Sequence, residues 1–486
     1  MFLGLDLGTS SLKALLIDSE DRILAQASVS LEVQVPRPSW SEQHPQAWWD
    51  ACQQAVLALP ADLRREVRGI GLSGQMHGAV LLDGADQVLR PAILWNDGRS
   101  LAQCAEFERR APQVRRISGN MPMPGFTAPK LLWVARHEPQ LFRATRTVLL
   151  PKDYLRLRLT GARVSDMSDA SGTLWLDVAR RAWSDELLAA CDLQQTNMPE
   201  LVEGSQAGGT LRPQIARLLG MPAALVAGGG GDNAASAVGM GIIDVGQALI
   251  SLGTSGVLFV ATDVFRPSPD KAAHAFCHAL PDRWHQMSVM LTASGALDWA
   301  VRVLGFEDSH AALSAAAIQG LRDDTPLFLP YLNGERTPHN DPDARGVFFG
   351  MTGATTRADL VVAVLEGVAL AFADGLSTLT QAGGAVSSLT AVGGGTRHTQ
   401  WLDYLAAALG QSLQLRTGGD TAAALGAARL ARLAVTHEPP QLLCTQPALT
   451  AEVVPRPDLQ ERLRRRQPRF IELYAQLKPV FRAFGT

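Results

Sequence analysis

The stretch that decides the fold stands at the start of the chain, where residues 2–18 read FLGLDLGTSSLKALLID. An apolar run from Phe2 to Leu7 is followed by a Gly-Thr-Ser-Ser turn and a second apolar run from Ala14 to Ile17. Residues 247–261 read QALISLGTSGVLFVA and repeat this order. Two apolar runs around a glycine turn are typical of strands joined in a hairpin. Their recurrence half a chain length apart predicts an internal duplication.

The rest of the chain alternates between strand and helix patterns, which is typical of an α/β fold with mixed sheets. A length of 486 residues predicts two to four domains. We place the join of the duplicated halves between Gly239 and Gln247, which predicts domains at residues 1–245 and 246–486. The further predicted elements are helices at 47–59, 233–238 and 357–375 and strands at 67–72, 79–82, 223–227 and 389–392.

Composition excludes several classes of protein. Forty-four Lys and Arg residues against 47 Asp and Glu residues give a net charge of −3. That balance excludes a cationic surface devoted to nucleic acid and an acidic disordered chain. The basic cluster from Arg462 to Arg466 is interpreted as the solvated face of a C-terminal helix rather than as a nucleic-acid contact.

The cysteines and the apolar runs bear on the compartment. The five cysteines include no C-x-x-C pair, which favours a reducing environment over a disulfide framework. The first residues lack the positive region of a signal peptide, and no stretch approaches 18 uninterrupted apolar residues. We therefore expect a cytoplasmic protein that neither crosses a membrane nor binds nucleic acid.

The two glycine turns have the composition of phosphate-binding loops. Glycine lets backbone N–H groups approach an anion, hydroxyl groups add donors, and a nearby cation adds charge. Two such hairpins, one in each half, could hold a polyphosphate from both sides; the alternative for either is an ordinary β-turn. The candidate nucleotide-binding residues are Gly8, Thr9, Ser10 and Lys13 in the first half and Gly253, Thr254 and Ser255 in the second.

Two aspartates stand where a phosphoryl-transfer site would need them. Asp6 lies inside an apolar strand, where an unpaired carboxylate is costly, so a magnesium ion bridging to phosphate would satisfy it. Bonds to backbone amides are the alternative. Asp232 follows the run Gly228 to Gly231 and opens a helix, where it could accept the proton of an attacking hydroxyl. A helix N-cap is the alternative for Asp232.

A third glycine turn, Gly393 to Thr396, joins a strand to a helix in the second half. Gly394, Gly395 and Thr396 are candidates for contact with the nucleotide, and a plain connection is equally compatible with the pattern.

Other motifs are rejected. Residues 69–74 match G-x-G-x-x-G, but the first two glycines lie within the strand, so we expect no dinucleotide site. A G-x-x-x-x-G-K-[ST] loop does not occur in the sequence. His274, Cys277 and His278 lack a second ligand pair for zinc.

These residues together resemble the FGGY family of sugar kinases, which belongs to the actin and hexokinase superfamily. Two long family patterns carry the resemblance, at residues 125–137 (GFTAPKLLWVARH) and from Gly346 to Glu366. Residues 91–99, 150–154 and 333–338 agree with it as well. The resemblance covers essentially the whole chain. It implies two ribonuclease-H-like lobes, an active site in the cleft between them, and ATP-dependent phosphorylation of a sugar.

The resemblance also implies roles for single residues. The segment Ser73-Gly-Gln-Met-His-Gly78 is similar to that of family members acting on a five-carbon ketose. It implies that Asp232 is the base, that Asp6 is essential, and that Mg²⁺ accompanies ATP. A homodimer is a further expectation. The residues expected to contact the sugar are Met76, His77, Trp95, Asn96, Asp232 and Asn233.

One local departure and two alternatives accompany this interpretation. Four glycines precede Asp232, where the family pattern has three. The first alternative function is a kinase of the same family for another ketose, a polyol or gluconate. The second, of a different class, is a nucleotide-driven switch ATPase that uses the same lobes to bind partners.

Overall fold

The structure is a computed structural model that describes residues 1–484; the last two residues of the predicted second domain lie outside the described residues. The first half contains strands β1–β15 and helices α1–α11. The strands are β1 (Phe2–Leu7), β2 (Ser11–Ile17), β3 (Ile23–Ser30), β4 (Glu42–Gln43), β5 (Gly69–Gly74), β6 (Val80–Leu82), β7 (Ala92–Ile93), β8 (Thr147–Leu149), β9 (Val164–Asp166), β10 (Leu176–Asp177), β11 (Ala182–Trp183), β12 (Glu200–Val202), β13 (Ala207–Thr210), β14 (Leu225–Ala227) and β15 (Gly230–Gly231). The helices are α1 (Pro45–Ala58), α2 (Ala61–Arg64), α3 (Leu101–Arg110), α4 (Val114–Ser118), α5 (Thr127–His137), α6 (Pro139–Ala144), α7 (Pro151–Thr160), α8 (Met167–Ser171), α9 (Asp185–Ala189), α10 (Pro213–Leu219) and α11 (Asp232–Gly239).

The second half continues the same numbering, and short 3₁₀ turns lie at Gln195–Asn197, Pro269–Lys271, Gly394–Arg397 and Gly419–Thr421. Its strands are β16 (Gln247–Leu252), β17 (Gly256–Thr262), β18 (His274–Cys277), β19 (Trp284–Met290), β20 (Leu327–Leu329), β21 (Val347–Phe349), β22 (Ser388–Val392), β23 (Leu413–Arg416) and β24 (Leu449–Val453). Its helices are α12 (Ser294–Leu304), α13 (Ser309–Gln319), α14 (Arg357–Gln381), α15 (Thr399–Leu409), α16 (Ala422–Thr436), α17 (Pro440–Leu443) and α18 (Pro457–Phe484).

The two large sheets repeat one strand order. The first sheet contains β3-β2-β1-β5-β14, and the second contains β19-β17-β16-β22-β23. In each sheet the first three strands are antiparallel, and the last two run parallel to the central strand. The duplication and the α/β fold class are therefore confirmed. At the corresponding edge of each sheet one more strand pairs antiparallel, β13 with β14 in the first sheet and β24 with β23 in the second.

The two predicted hairpins differ by one residue at their turns. Leu7 pairs with Leu12 across the first turn, whereas Leu252 pairs directly with Gly256 across the second. In the first hairpin Asp6 pairs with Lys13, and the corresponding pair in the second is Ser251 with Val257. The carboxylate and the ammonium group thus belong to the first half alone.

Helix α16 belongs to the second half of the sequence but packs on the first sheet. Its alanines share a buried apolar cluster with Phe2, Leu15 and Ile17. The approach is close because β1 and β5 present glycines to the helix. A Cβ on Gly4 would overlap the carbonyl oxygen of Ala424, and one on Gly71 would overlap that of Ala427.

Helix α14 forms the centre of the second core. Thr356 and Asp359 form a capping box at its start, and almost every residue from Val361 to Ala373 is buried. By length and hydropathy this helix could cross a membrane, but 78% of the apolar window is buried inside the structure, as is usual for a core helix.

Helix α18 packs on α14 and α15, so one of its faces is covered. Arg464 and Arg465 are exposed, as expected for a solvated cluster. For Arg466 that expectation is wrong, because it is buried and its Nη2 lies 2.9 Å from Oε2 of Glu366.

The close packing of α16 leads to a stability prediction. Gly71→Ala would place a methyl group against the backbone of Ala427, so either the strand or the helix must move. We therefore expect the free energy of unfolding to fall by at least about 3 kcal/mol. Gly84→Ala is the control, because the nearest atom to its Cβ would be Arg146 Cγ at 3.9 Å. Denaturant unfolding of both variants checks this. Equal midpoints would show that the contact between α16 and β5 tolerates a side chain at position 71.

Candidate active site

The cleft between the halves contains a cavity of about 230 Å³. Its lining comes from both halves of the chain. The lining residues are Met76, His77, Trp95, Met123, Gly125, Phe126, Asp232, Asn233, Ser255, Val257, Met287, Val289 and Arg336. Most of these side chains are apolar, and a few polar groups lie among them, as is usual for a small-molecule site.

The cavity brings together most of the residues expected to contact a sugar. Met76, His77, Trp95, Asp232 and Asn233 all line it. Asn96 does not; it is exposed beside Trp95. Among the lining residues not predicted from the sequence are Met123, Phe126 and Arg336, of which Phe126 and Arg336 lie in segments that match the family patterns.

His77 is held in a defined orientation at the wall of the cavity. Its backbone is in the left-handed region, with φ 69°. The backbone carbonyl of His77 accepts hydrogen bonds from Lys130 Nζ at 2.9 Å and Thr127 Oγ1 at 3.1 Å. Its ring Nδ1 lies 2.7 Å from the carbonyl oxygen of Gly172, so Nδ1 carries the proton and Nε2 is an acceptor.

The electrostatic surroundings keep His77 neutral. Burial, followed by the positive charge of Lys130, lowers the pKa of His77 to about 3. The imidazole is therefore uncharged at physiological pH. A neutral ring whose Nε2 accepts can receive a hydrogen bond from a hydroxyl group in the cavity.

Asp232 is the first residue of α11, and its carboxylate reaches the cavity. The N-cap of this helix is Gly231, so the N-cap alternative for Asp232 is wrong. Oδ1 of Asp232 accepts from the backbone N of Asn233 at 2.7 Å and from Nδ2 of Asn233 at 2.9 Å. Burial and the neighbouring charge of Asp6 raise the pKa of Asp232 to about 7.

Asp6 is a half-buried residue near the end of β1, and its charge acts on Asp232. Its Oδ1 accepts from Ser73 Oγ at 3.1 Å. Burial raises the pKa of Asp6, while Ser73 and the charge of Lys13 oppose that shift. Among the described residues no cluster of three His, Cys, Asp or Glu side chains could hold a metal ion. A cation at Asp6 would therefore need oxygen ligands other than a cluster of such side chains, for example the oxygens of a bound phosphate.

A buried charged network holds the glycine loop that carries Asp232. Arg156 donates to the carbonyl oxygens of Ala227 and Gly228, and Ser168 Oγ accepts from the backbone N of Gly231 at 3.1 Å. Ser168 in turn donates to Asp166, whose other oxygen lies 2.7 Å from Lys152 Nζ. The loop is thus bonded on both sides of its glycines, which fixes where Asp232 begins its helix.

All four glycines before Asp232 are closely packed. Gly229 has φ 77°, and a Cβ on it would overlap the carbonyl oxygen of Leu72. A Cβ on Gly231 would lie 2.9 Å from Met76 Sδ. The additional glycine is therefore accommodated within the loop, against β5 and the cavity wall.

The first glycine turn is hydrogen-bonded to Trp95, which lines the cavity. Gly8 N donates to the carbonyl oxygen of Ser11 at 2.9 Å. Thr9 Oγ1 accepts from Trp95 Nε1 at 2.9 Å and donates to Gln75 Oε1 at 3.1 Å. Lys13 Nζ donates to the carbonyl oxygen of Asp420 at 2.9 Å, so it bridges the two halves.

The second and third glycine turns are neighbours. The carbonyl oxygens of Gly253 and Thr254 accept from the start of α12, and Ser255 lines the cavity. Gly393 packs on the end of β16, where its Cβ would lie 2.8 Å from the carbonyl oxygen of Leu252. The 3₁₀ turn that follows contains Gly394, Gly395 and Thr396. The candidate nucleotide residues of the second half therefore follow the carboxyl ends of the neighbouring parallel strands β16 and β22.

The three residues rejected as a zinc site have separate partners. His274 Nδ1 lies 2.9 Å from Asn120 Oδ1, Cys277 Sγ donates to the carbonyl oxygen of Val178, and His278 Nε2 lies 3.1 Å from the carbonyl oxygen of Ile242.

Comparison with known protein families decides the identity of this site. The N-terminal domain of the FGGY family of carbohydrate kinases matches residues 1–239, and its C-terminal domain matches residues 248–435. The chain belongs to this family. It is an ATP-dependent sugar kinase, as the resemblance implied. The division at residue 245 stays a prediction, since α16 of the second half packs on the first sheet.

Relatives and solved structures agree with this assignment over the whole chain. The chain is 51% identical over 484 residues to xylulose kinase of Escherichia coli (strain K12), covering 99% of this chain and 100% of that protein. It is 37% identical to xylulose kinase of Bacillus subtilis (strain 168), with 88% and 87% covered. A crystal structure described as a xyloylose kinase from Brucella ovis has a TM-score of 0.95 at 49% identity and covers 99% of both chains.

The position of His77 leads to a prediction about sugar binding. A Cβ on Gly172 would lie 2.5 Å from His77 Nδ1, so Gly172→Ala displaces the imidazole and should raise the KM for sugar about tenfold or more. The KM for MgATP should change little. Gly353→Ala is the control, because its Cβ would meet nothing within 4 Å. Initial-rate kinetics with each substrate varied check this; an unchanged sugar KM would contradict the role of His77.

The raised pKa of Asp232 leads to a prediction about stability. An acid whose folded pKa is about 7, against an ordinary value of 3.8, contributes stability at low pH that is lost as pH rises through about 7. Wild type should therefore lose stability relative to Asp232→Asn between pH 5 and pH 8, measured by thermal unfolding without nucleotide.

The control for this experiment is Asp18→Asn. Although burial opposes the shift, hydrogen bonds from Arg22 and Glu20 lower the pKa of Asp18, so its contribution is constant above pH 5. If the difference in thermal stability between wild type and Asp232→Asn is as independent of pH as the difference for Asp18→Asn, the raised pKa of Asp232 is contradicted.

Proposed function

We propose that the protein transfers the γ-phosphoryl group of ATP to the terminal C5 hydroxyl of D-xylulose, giving D-xylulose 5-phosphate and ADP. The observation that carries this proposal is 51% identity over essentially the full length to a protein named xylulose kinase. The Met76-His77 turn, which lines the cavity, supports it independently. The reaction would serve the catabolism of D-xylose in the cytoplasm.

Sugar binding is supported by the chemistry of the cavity. Nε2 of the neutral His77 is free to accept from a sugar hydroxyl, because Nδ1 is bonded to Gly172. Asn233 Nδ2 is bonded to Asp232, which leaves its side-chain oxygen as an acceptor. Met76 and Phe126 supply apolar surface for the carbon chain.

Asp232 is the proposed general base. Its carboxylate takes the proton of the C5 hydroxyl as that oxygen attacks the γ-phosphorus. A new O–P bond forms, the bond from the γ-phosphorus to the oxygen bridging to the β-phosphorus breaks, and ADP leaves. A pKa of about 7 places the base close to the pH at which proton transfer is most effective.

The phosphates would lie between the glycine turns of residues 8–13 and 253–256, with the adenosine against Gly394, Gly395 and Thr396. Asp6, whose Oδ1 has only Ser73 as a hydrogen-bond partner among the described residues, would hold Mg²⁺ together with phosphate oxygens. When bound, the ion neutralises charge on the transferred group. Lys13 would need to leave the carbonyl oxygen of Asp420 to contact phosphate.

Excluding water from the cleft is part of the proposal. Water is also a competent nucleophile, so the halves should close only around bound sugar. We therefore expect slow ATP hydrolysis in the absence of sugar. A homodimer, expected from the family resemblance, stays a prediction that analytical ultracentrifugation would test.

The test is ADP release with MgATP over D-xylulose, D-ribulose, L-ribulose, L-fuculose, gluconate, glycerol and no sugar. D-Xylulose should give the highest kcat/KM, and the blank should be near zero. A different leading substrate would replace D-xylulose as the substrate and leave the kinase assignment intact. Equal rates with and without sugar would favour a nucleotide-driven switch.

The role of Asp232 predicts the behaviour of one variant. Asp232→Ala should lower kcat by about 10²- to 10⁴-fold or more, because the base is removed. Circular dichroism should show that it folds, since Asp232 does not cap α11. A folded variant with near-normal turnover would exclude Asp232 as the base.

A further inference from the structure

Arg336 is a cavity residue to which neither the family resemblance nor the proposed chemistry gives a role. It follows β20 in the second half and lines the cavity opposite residues of the first half. Burial lowers the pKa of Arg336, and the charge of Glu335 opposes this shift. The side chain is half-buried, and a cation drawn out of water is costly unless it is paired, so the partner of Arg336 needs an explanation.

The described residues give the Arg336 guanidinium little to bind. Its hydrogen bond is a long one, from Nη1 to His274 Nε2 at 3.5 Å. The neighbouring Glu335 forms no ion pair with it within 4 Å: Oε1 of Glu335 accepts from the backbone N of Leu291 at 2.9 Å and from that of Arg336 at 2.7 Å, and Oε2 has no hydrogen-bond partner among the described residues. Most of the five N–H donors of the guanidinium are therefore available to a ligand.

His274 is oriented so that it cannot take the place of such a ligand. Its Nδ1 lies 2.9 Å from Asn120 Oδ1, and the amide nitrogen of Asn120 donates to the carbonyl oxygen of Ala275 at 3.1 Å. Nδ1 therefore carries the proton, and Nε2 is a single acceptor turned to Arg336. This chain of bonds orients the guanidinium but leaves most of its donors unused.

Arg336 is connected to His77 through His274 and Phe126. Phe126 is between His77 and His274, with ring centroids 4.8 Å and 5.5 Å away, and His274 is bonded to Arg336. The charge of Arg336 lowers the pKa of His77 and of His274, whereas the pKa of Asp232 responds to burial, Asp6 and Asn233. Asp232 and Arg336 line the same cavity from the two halves of the chain, so one bound sugar could contact both.

We propose that Arg336 binds the carbonyl end of the sugar and selects an acceptor-only oxygen there; this inference rests on the proposed function. A guanidinium donates five N–H groups and accepts none. A ketone oxygen only accepts, so it matches this site. A hydroxyl in the same place brings a proton that finds no acceptor on Arg336, and an unmet donor costs binding.

Two consequences follow from a donor-only subsite. The ketose binds better than the pentitols formed by reducing its carbonyl group. A carboxylate also only accepts, so the five-carbon sugar acid D-xylonate binds in competition with the ketose.

Because His77 and Asp232 belong to the first half and Arg336 to the second, a sugar held at both ends also draws the halves together.

The experiment compares Arg336→Met, Arg336→Gln and Arg336→Lys with wild type on D-xylulose and on xylitol and D-arabinitol. For Arg336→Met we expect kcat/KM for D-xylulose to fall about tenfold or more, chiefly through KM, with a smaller change for the pentitols. The ketose preference, meaning the ratio of kcat/KM for D-xylulose to that for the pentitols, should therefore fall. Arg336→Gln, which can accept as well as donate, should shrink it too, and Arg336→Lys should retain part of it.

Arg345→Met is the matched control, since Arg345 lies on the same connection between β20 and β21 but outside the cavity, where it donates to the carbonyl oxygens of Pro342 and Ala344. It should leave the ketose preference unchanged. The KM for MgATP should stay near the wild-type value in every variant. Equal losses on ketose and pentitols in Arg336→Met would show a merely structural role and overturn the proposal.

A binding measurement separates this inference from the proposed function. Calorimetric titration of wild type with D-xylonate needs no turnover, and we expect binding that weakens at least tenfold in Arg336→Met and not in Arg345→Met. Equal binding to wild type and Arg336→Met, or none to wild type, would overturn the role of Arg336. Failure of wild type to phosphorylate D-xylulose would overturn the proposed substrate and leave this result to stand by itself.

Discussion

The contact on which the rest of the structure depends is the one between helix α16 and the first sheet. Gly4 of β1 and Gly71 of β5 have no side chain at this contact, so at these two positions the helix backbone lies directly on the strands. Arg429 strengthens the contact by pairing with Asp21 and by donating to the carbonyl oxygens of Val238 and Gly239, at the end of α11. These contacts fix how the second half packs against the first, and therefore how the two sides of the cleft face each other.

The position of Asp232 in the site depends on the glycine loop that precedes it. Arg156 and Ser168 bind the glycine run on both sides, so Asp232 leaves the sheet at a fixed place and begins α11 inside the cavity. Burial and the charge of Asp6 raise the pKa of this carboxylate to about 7. Hydrogen bonds to the loop therefore set the position of Asp232, and its surroundings in the cavity set its basicity.

Much of the site could be predicted because its chemistry is concentrated in short segments. The turns at Gly8 and Gly253, the aspartate after the glycine run and the Met76-His77 turn each show their composition within a few residues. Met123, Phe126 and Arg336 have no such local signal. They reach the cavity only because the segment that follows β5 packs against β18 and β19 of the second half.

The sequence by itself determined the duplication, the α/β class and several of the residues that line the cavity, because apolar periodicity and glycine turns are local properties. Only the tertiary structure decided which side chains meet across the cleft. It brings Lys13 to the carbonyl oxygen of Asp420, buries Arg466 against Glu366, and leaves Arg336 beside His274 without a carboxylate. These pairings join residues far apart in the chain, so they depend on how the halves pack and not on any pattern within one segment.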